Sequence, residues 1–521
     1  MKTLFNSKLN LFFNLSFFQK IFVFTLFLFL ISRVITVFHN LPAWQFCDEL
    51  VVSGHLWRLV LDKTIIFDDF RSGGLNILPL LPIGFFLTET KILVIGKFLY
   101  LVVLGLGTVF FIYKISLLII FNKNIAILSS IIFMLSPYVF AVGEYWYPDH
   151  YIYFFSSGFL YFLIKLYREI NQQNKTNFIL LGIFSSMLVS VKWTGFILMP
   201  VLFLFLLFLF INQSESRLVF FKNCLYLLCS FLVIFFLFNY SIFFNFDKFI
   251  YDFTWNISHY ASYEKNNFEI FYYLSVIYFL FASFLSIIFI LFGYVKIFKL
   301  NKLIFTLFTF TVLFYSCFLG LKGGLVLHRN VSILIPFIFP IIGIGIYQFY
   351  ILFTNKFSPF VRFLSNSYIF FFFLVLIFNF IFLFFNNLHY DSRFMAMKWL
   401  RSNLLSDVTI GTNEACSGPS PAHGFTFQDN NDPMFVYNYD YYVINSYWDS
   451  KIDYLYHYSK PIITLMNQHY VHFNYWNEKN IFKNSLVKDN SFENYNSVMS
   501  NYELIKTFKG YGPVIYVLKK K

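Results

Sequence analysis

Two adjacent carboxylates, Asp48 and Glu49, follow the first long apolar segment of the chain, Ile21–Val37. Ionisable groups close to a lipid bilayer are costly, and they are commonly retained for chemistry or ion handling. A carboxylate in this position could accept the proton of an attacking hydroxyl group. The same two residues could instead form an ordinary solvated loop end, so their interpretation depends on the polar residues that accompany them.

Three further polar clusters interrupt the apolar sequence. They are Gly143–His150 (GEYWYPDH), which contains Glu144 and Asp149, Lys192–Gly195 (KWTG), and Lys322–Asn330 (KGGLVLHRN), which contains His328 and Arg329. Arginine holds a phosphate through two parallel hydrogen bonds, and lysine holds it as a point charge. These residue types predict a site in which bases bind an anionic group such as a phosphate, while a carboxylate takes up a proton beside it.

Each of these side chains also has an ordinary structural interpretation. Asp149 could cap the N-terminus of a helix, and Lys192 could extend from a helix end towards water. His328 and Arg329 could anchor a helix at the membrane interface. From the sequence alone, both interpretations of each residue stay open.

The composition excludes a soluble globular protein. Of the 521 residues, 58% are hydrophobic, 12% are charged and 80 are Phe, which is typical of a chain that crosses a membrane repeatedly. The net charge of +13 does not indicate a nucleic-acid partner, because the basic residues lie largely in short gaps between apolar runs. The cysteines and the histidines show no spacing typical of a zinc site.

The apolar runs predict an α-helical polytopic membrane protein with about eleven transmembrane helices. These helices cover residues 19–39, 92–119, 125–142, 150–168, 177–190, 195–212, 218–240, 269–297, 302–320, 330–353 and 364–386. The segment 178–210 is long for one helix and short for two. We favour a hairpin that turns at Val191–Gly195, because a single crossing would reverse the sidedness of every charge downstream.

The distribution of charge gives the orientation. Lys2, Lys8 and Lys20 place the N-terminus in the cytoplasm, since cytoplasmic loops carry an excess of Lys and Arg. The other gaps on that side are basic as well, whereas nearly all acids of the membrane part fall in the opposite gaps. The four polar clusters are therefore expected to lie together on the extracytoplasmic side.

Two domains are predicted. Residues 1–386 form the transmembrane domain, whose first outer loop, 41–90, carries helices that lie on the membrane surface, because Pro79 and Pro82 argue against a straight spanning helix. Residues 387–521 form a small extracytoplasmic α/β soluble domain. Its predicted elements are a helix at Arg393–Leu404 and strands at Val408–Gly411, Tyr441–Ile444 and Val514–Leu518.

A series of short motifs follows the acidic pair in a fixed order. They are Ser136-Pro137, Tyr147-Pro148-Asp149, Val191-Lys192-Trp193-Thr194-Gly195, His328-Arg329 leading into Ile335-Pro336 and Pro340, and a tail that begins Met397-Lys398-Trp399-Leu400. This arrangement resembles the GT-C superfamily of polytopic glycosyltransferases. Within it, the chain is most similar to the family 39-like branch of protein O-mannosyltransferases and lipid A aminoarabinose transferases.

The resemblance implies an inverting transfer of a sugar from a polyprenyl-phosphate donor on the extracytoplasmic face. Asp48 matches the general base of the family, and Glu49 is the second candidate. Lys192 and Arg329, with His328, match the groups that bind the donor phosphate. Asp149, with Glu144, matches the acids of the second outer loop.

The resemblance also implies that no cofactor is required. A divalent metal held by Asp48 and Asp149 is the alternative that is not favoured. The expected partners are the lipid-linked donor, an acceptor that is a glycan, a lipid or a protein, and membrane lipids. The expected location is a bacterial inner membrane, with an endoplasmic reticulum as the alternative.

The chain departs from the family pattern at two places. Phe46-Cys47 and Leu50-Val51 flank the acidic pair in place of the usual small and aromatic residues, and Asn330 follows Arg329 where relatives often have an aromatic residue. The competing functions are a membrane transporter or flippase and a polysaccharide ligase. A transporter would be expected to show internal repeats and ionisable groups near the bilayer midplane, neither of which the sequence indicates.

Overall fold

The structure is a computed structural model of the whole chain. The residues that it describes are 16–38, 47–70, 73–143, 146–172, 174–212, 217–261, 270, 273–274, 277–278, 281–322, 328–386, 392–403, 410–412, 427–429, 441–445, 502–508 and 515–521. The described residues fall into two compact units. The larger unit comprises Met1–Val37, Arg58–Leu87 and Ile95–Phe380, and the smaller one comprises Phe38–Trp57, Thr88–Val94 and Ile381–Lys521.

The chain is mostly helical. The first half contains α1 Phe17–Phe38, α2 Cys47–Leu61, α3 Leu81–Gly84, α4 Glu89–Lys97, α5 Leu104–Ile120, α6 Lys123–Leu135, α7 Pro137–Val142, α8 Ile152–Arg168, α9 Lys175–Val191, α10 Met199–Asn212 and α11 Arg217–Asn239. The second half contains α12 Phe246–Ala261, α13 Ser286–Leu300, α14 Lys302–Lys322, α15 Ile335–Lys356, α16 Pro359–Asn386 and α17 Ser392–Asn403. A π-helical segment, Phe98–Val103, joins α4 to α5.

Seven helical segments in the described part of the chain are long and apolar enough to cross a membrane. They are Phe17–Phe38, Thr90–Ile120, Trp193–Asn212, Arg217–Phe243, Lys302–Leu321, Asn330–Thr354 and Pro359–Phe385. Each coincides with one of the eleven predicted helices. The shorter apolar helices α6 and α9 lie where two further spans were predicted, and the total of eleven stays a prediction.

The predicted span 125–142 is divided in two by Ser136 and Pro137. Ser136 has an extended backbone (φ −63°, ψ 124°), and its hydroxyl accepts a hydrogen bond from the Val139 N–H at 3.0 Å. Pro137 occupies the first turn of α7, where its missing N–H costs nothing. The Ser-Pro pair therefore ends one helix and starts the next.

The helix is broken at Val191–Gly195, where the hairpin turn was predicted, and the two separate crossings stay a prediction. α9 ends at Val191, Lys192 is extended (φ −152°, ψ 133°), and a 3₁₀ helix, Trp193–Leu198, leads into α10. The Gly195 N–H donates to the Lys192 carbonyl at 2.8 Å. Lys192 thus lies at a junction between two helices and not within a single long one.

The core of the larger unit is built around α15. In the segment Asn330–Thr354, 94% of the residues in an 18-residue apolar stretch are buried, against 17% in the corresponding stretch of Arg217–Phe243. Gly345 lets α15 approach α13 closely, since a Cβ there would lie 1.7 Å from the Phe289 carbonyl oxygen. Small residues at such contacts allow membrane helices to pack tightly.

The described part of the first loop contains no long helix between Lys63 and Thr88. Apart from a 3₁₀ turn, Gly74–Asn76, it forms only the four-residue helix α3, around Pro82. This agrees with the expectation that the prolines prevent a straight span there.

The smaller unit contains a five-stranded sheet. Its strands are β1 Ile410–Thr412, β2 Phe427–Asp429, β3 Tyr441–Asn445, β4 Tyr502–Phe508 and β5 Ile515–Lys520, in the order β2-β1-β3-β5-β4. β1 is parallel to both neighbours, while β5 is antiparallel to β3 and β4. β1, β3, β5 and α17 lie where the sequence predicted them, and the extracytoplasmic placement of this part stays a prediction.

Candidate active site

Asp149, Lys192 and Asn330 meet in the larger unit. The Lys192 ammonium donates to Asp149 Oδ1, and it donates to Asn330 Oδ1 at 3.2 Å. The Asp149 side chain is 2% exposed and the Lys192 side chain 12% exposed. We call these three residues the Asp149–Lys192–Asn330 cluster. A buried ion pair is stable only when further hydrogen bonds satisfy its remaining polar atoms. Here Asn330, from a distant part of the chain, accepts such a bond from Lys192.

Three helix ends bring the cluster together. Asp149 lies in a 3₁₀ turn, Pro148–His150, directly before α8, and Asn330 lies in a 3₁₀ helix, His328–Leu334, directly before α15. The Ser332 hydroxyl donates to the Asp149 carbonyl at 2.6 Å, and the Tyr315 hydroxyl donates to the Asn330 carbonyl at 3.0 Å. These bonds join the two segments to each other and to α14.

The ordinary interpretations of Asp149 and Lys192 are wrong. The N-cap positions of the two helical segments at Asp149 are Tyr147 and Tyr151. Lys192 does not extend into water, because its ammonium is held by Asp149 and Asn330. Both side chains therefore face each other inside the protein.

Asn76 links the segment that carries Lys192 to the segment that carries Asp149. Sequence analysis missed this residue. The fully buried Asn76 amide donates to the Val191 carbonyl at 2.8 Å and to the Gly73 carbonyl at 2.7 Å, and its Oδ1 accepts from the Tyr151 hydroxyl. Val191 precedes Lys192, and Tyr151 lies two residues after Asp149. Asn76 is thus a positioning residue that fixes the spacing of the two charged segments.

Gly73 and Gly74 let the first loop enter between two helix ends. A Cβ at Gly73 would lie 2.0 Å from the Ser190 carbonyl oxygen in α9, and one at Gly74 would lie 1.8 Å from the Phe238 carbonyl oxygen in α11. Backbone atoms cannot yield easily to such contacts. The loop that carries Asn76 can therefore reach the cluster only with glycine at these two positions.

We expect Gly73→Ala to lower the free energy of unfolding by about 1–3 kcal/mol, the usual cost of overpacking. The measurement is thermal or denaturant unfolding of the detergent-solubilised protein. Gly105→Ala is the matched control, because its Cβ would meet the Phe29 ring at an ordinary 3.6 Å. Equal stability of the two variants would contradict the tight entry of the loop.

Arg33 is a second residue that sequence analysis missed. It is 1% exposed within α1, and its guanidinium donates to the carbonyls of Val139 at 2.7 Å, Phe140 at 3.3 Å and Gly143. These carbonyls belong to the C-terminal end of α7, where a positive charge is favourable. A lone arginine inside an apolar span was the signal that could have identified it.

The remaining predicted residues are only partly described. Asp48 and Glu49 lie in the first turn of α2, in the smaller unit, and His328 and Arg329 lie in the 3₁₀ helix that also carries Asn330. The side chains of these four residues, and Glu144 altogether, lie outside the described residues. Their roles stay predictions, whereas Lys192 and Asp149 are brought together with the segment that carries Arg329.

Metal binding stays untested. Among the side chains that the structure describes, no group of three His, Cys, Asp or Glu residues lies close enough to hold an ion. The side chain of Asp48, the predicted partner of Asp149, lies outside the described residues. Asp149 itself is engaged by the Lys192 ammonium.

The part of the chain that carries Asp149 and Lys192 is similar to a known family. A family model of dolichyl-phosphate-mannose-protein mannosyltransferases matches residues 99–261. No curated protein sequence is significantly similar to this chain.

The fold is similar to that of two transferases of known structure. ArnT from Cupriavidus metallidurans in the apo state matches with a TM-score of 0.57 and 8% identity, covering 95% of this chain and 97% of that chain. The chain has the GT-C fold. The same ArnT bound to undecaprenyl phosphate matches with a TM-score of 0.57 and 9% identity over the same shares. The apo oligosaccharyltransferase of Archaeoglobus fulgidus matches with a TM-score of 0.51 and 11% identity, covering 85% of this chain and 71% of that chain.

The predicted resemblance to GT-C glycosyltransferases is therefore confirmed. The apolar helices and the GT-C fold together make this chain an integral membrane protein. Within that fold, the Asp149–Lys192–Asn330 cluster lies at the ends of its helices.

Proposed function

We propose that the protein transfers a sugar from a polyprenyl-phosphate donor to an acceptor hydroxyl on the extracytoplasmic face of a membrane, with inversion at the anomeric carbon. The observation that carries this proposal is the Lys192 ammonium held by Asp149 and Asn330. Of these residues, Lys192 and Asp149 lie within the segment that matches the mannosyltransferase family. The binding of undecaprenyl phosphate by ArnT, which has a similar fold, supports the choice of donor.

In the proposed reaction the acceptor hydroxyl oxygen attacks the anomeric carbon from the side opposite to the phosphate. Asp48 takes the hydroxyl proton, and Glu49 is the second candidate for this role. The bond between the anomeric carbon and the phosphate oxygen breaks, and the polyprenyl phosphate leaves with the electron pair. A single displacement of this kind inverts the configuration and needs no covalent intermediate with the enzyme.

Lys192 and Arg329 stabilise the negative charge that develops on the leaving phosphate. Fixed charges aimed at such a group contribute more in a water-poor site than they would in water. Asp149 and Asn330 hold the Lys192 ammonium in place, so that it does not need to reorganise during the reaction. His328 lies beside Arg329 and is proposed as a further phosphate ligand.

The pairing of Asp149 with Lys192 supports a centre that works without a cofactor. A carboxylate whose charge is balanced by an ammonium is a weaker ligand for a divalent cation than a free one. Binding of a cation by Asp48 and Asp149 is the alternative. Activity that persists in a chelator would support the proposal, and activity restored only by added divalent cations would support the alternative.

The location of the cluster favours a transferase over a transporter or flippase. Transporters generally bind their ions and substrates near the bilayer midplane, between broken helices. Asp149 and Asn330 precede α8 and α15, and Lys192 follows α9, so that all three lie at helix ends. We propose a bacterial inner membrane as the location, with the N-terminus in the cytoplasm and residues 387–521 outside.

The test is transfer of label from a radiolabelled polyprenyl-phosphate sugar in proteoliposomes that contain the purified protein and extracted cell-envelope acceptors. The expected result is periodate-sensitive label in a glycan, lipid or protein fraction, and that fraction identifies the acceptor class. Movement of intact donor across the bilayer without any transfer would establish the flippase. Transfer of preassembled polysaccharide, and not of single sugars, would establish the ligase.

A further inference from the structure

A cleft of about 340 Å³ lies at the ends of the helices in the larger unit, far from the Asp149–Lys192–Asn330 cluster. Asp149 comes just before α8, whereas Arg168, which lines the cleft, is the last residue of this 17-residue helix. At 1.5 Å per residue, the two ends of α8 are about 25 Å apart. The cleft is therefore separate from the proposed active site.

Two cations and two polar side chains line the cleft together with an apolar wall. The cations are Arg168 and Lys296, and the polar residues are Tyr347 and Gln348. The wall is formed by side chains of α5, α6, α13 and α15, among them Ile120, Ile125, Leu300 and Ile344. A volume of this size is within the range of pockets that bind small molecules or head groups.

Arg168 is held at the edge of the cleft by contacts that leave its charge unbalanced. One guanidinium nitrogen donates to the Ile119 carbonyl at 3.2 Å, and the guanidinium lies 5.2 Å from the centre of the Phe121 ring. Its Nε is buried and has no hydrogen-bond partner among the described residues. The carboxylate of the neighbouring Glu169 pairs with other residues. Its Oε2 accepts a hydrogen bond from the Asn177 amide at 2.8 Å and lies 4.0 Å from Lys165 Nζ.

Lys296 adds a second positive charge. In the part of the chain that the structure describes, no carboxylate lies within ion-pair distance of Lys296 or Arg168. Phe121 and Leu300, which also line the cleft, are 70% and 48% exposed, so they present apolar surface at its edge. Two unbalanced cations beside exposed apolar side chains match a ligand with an anionic head and apolar chains.

We propose that this cleft binds the phosphate of an anionic membrane lipid. Arg168 and Lys296 contact the phosphate, and Tyr347 and Gln348 supply hydrogen bonds to the head group. The acyl chains lie against the exposed apolar side chains of Phe121 and Leu300. Basic pockets between membrane helices commonly recognise anionic lipids in this way. The cleft lies at the opposite end of α8 from the proposed active site. Lipid binding there does not depend on the proposed function.

The test compares Lys296→Gln with wild type in native mass spectrometry of the detergent-solubilised full chain, titrated with phosphatidylglycerol or with zwitterionic phosphatidylcholine. We expect wild type to prefer phosphatidylglycerol and Lys296→Gln to bind it about fivefold more weakly, the usual contribution of one lysine near an anionic surface. Lys299→Gln is the matched control, because Lys299 lies on the same helix and outside the cleft. This control should bind phosphatidylglycerol like wild type.

Lys296 is chosen over Arg168 for the substitution because Arg168 also contacts the end of α5, so that its loss would disturb the fold. Equal phosphatidylglycerol binding by wild type and Lys296→Gln would overturn the proposal, as would equal weakening in Lys299→Gln. A separate titration with inorganic phosphate distinguishes the two sources of the anion. Lys296-dependent binding of phosphate without any preference for phosphatidylglycerol would assign the cleft to a free anion instead.

Discussion

Asp48→Asn is expected to slow sugar transfer by about 10²–10⁴-fold, the usual contribution of a general base. An amide has nearly the shape of a carboxylate but cannot take up the proton of the acceptor hydroxyl. Binding of the polyprenyl-phosphate donor should persist, since the proposed donor contacts come from Lys192 and Arg329. The measurement is the initial rate of label transfer in proteoliposomes, with donor binding measured separately by equilibrium titration.

Glu49→Gln is the matched control for this substitution. It removes the same charge one residue away, in the same first turn of α2. If Asp48 is the base, Glu49→Gln should retain most of the transfer rate. If Glu49→Gln loses transfer and Asp48→Asn retains it, Glu49 takes the role. Full activity of both variants would remove the acidic pair from the chemistry.

Lys192→Met is expected to destabilise the protein and also to weaken binding of the donor. The substitution leaves the Asp149 carboxylate, 2% exposed, without its ammonium partner. Breaking a buried pair in this way typically costs about 3–5 kcal/mol. The measurement is the free energy of unfolding in detergent together with the dissociation constant of the polyprenyl-phosphate donor.

A second variant separates the structural effect from the functional one. In Lys192→Met/Asp149→Asn both charges are absent, so most of the lost stability should return while donor binding stays weak. Arg329→Ala should weaken donor binding without a comparable loss of stability. Donor affinity like that of wild type in the double variant would show that Lys192 acts only in folding.

Arg58→Met is the control for loss of a paired cation in general. Arg58 forms an ion pair with Asp68, and the two side chains are 52% and 53% exposed. Exposed pairs contribute about 0–1 kcal/mol, so this variant should be nearly as stable as wild type. A loss of stability as large as that in Lys192→Met would show that burial of the Asp149–Lys192 pair is not what matters.

Sequence reasoning succeeded where the signal was periodic or repeated along the chain. Apolar runs of sufficient length identified the seven helical segments that are long enough to cross a membrane, because a membrane helix has to satisfy its backbone internally over a fixed distance. The break at Lys192 followed from the segregation of charge between alternate gaps. The convergence of Asp149, Lys192 and the segment of Arg329 followed from the same rule, since alternate gaps lie on one side.

Sequence reasoning failed where a contact depends on how closely two distant segments approach. Asn76 is an ordinary polar residue in a loop until the structure places it between Val191 and Tyr151. Gly73 and Gly74 likewise have no local signature of their role, because the atoms that require glycine belong to α9 and α11. Such contacts are tertiary, and no local pattern encodes them.

Two strands were missed for simpler reasons. β2 has three residues, Phe427–Asp429, which is too short for an alternating pattern. β4 lies at the edge of the sheet, where Leu504 and Ile505 are adjacent and both partly exposed, and it contains a bulge between Leu504 and Lys506. The bulge shifts the alternation by one residue, so the usual period of two is lost.

The contact of Arg33 with the end of α7 has a consequence for how the chain is made. The carbonyl groups that accept its hydrogen bonds lie 106 to 110 residues later in the chain. The ribosome therefore completes α1 well before it synthesises these acceptors. An arginine at the centre of a newly inserted helix disfavours insertion by about 2.5–3.5 kcal/mol. Arg33 is the seventeenth of the 22 residues of α1, so its cost is smaller, because a long side chain near a helix end can reach towards the interface. The apolar side chains of α1 have to offset that cost. The Arg33 side chain can form its final hydrogen bonds only after α7 has been synthesised.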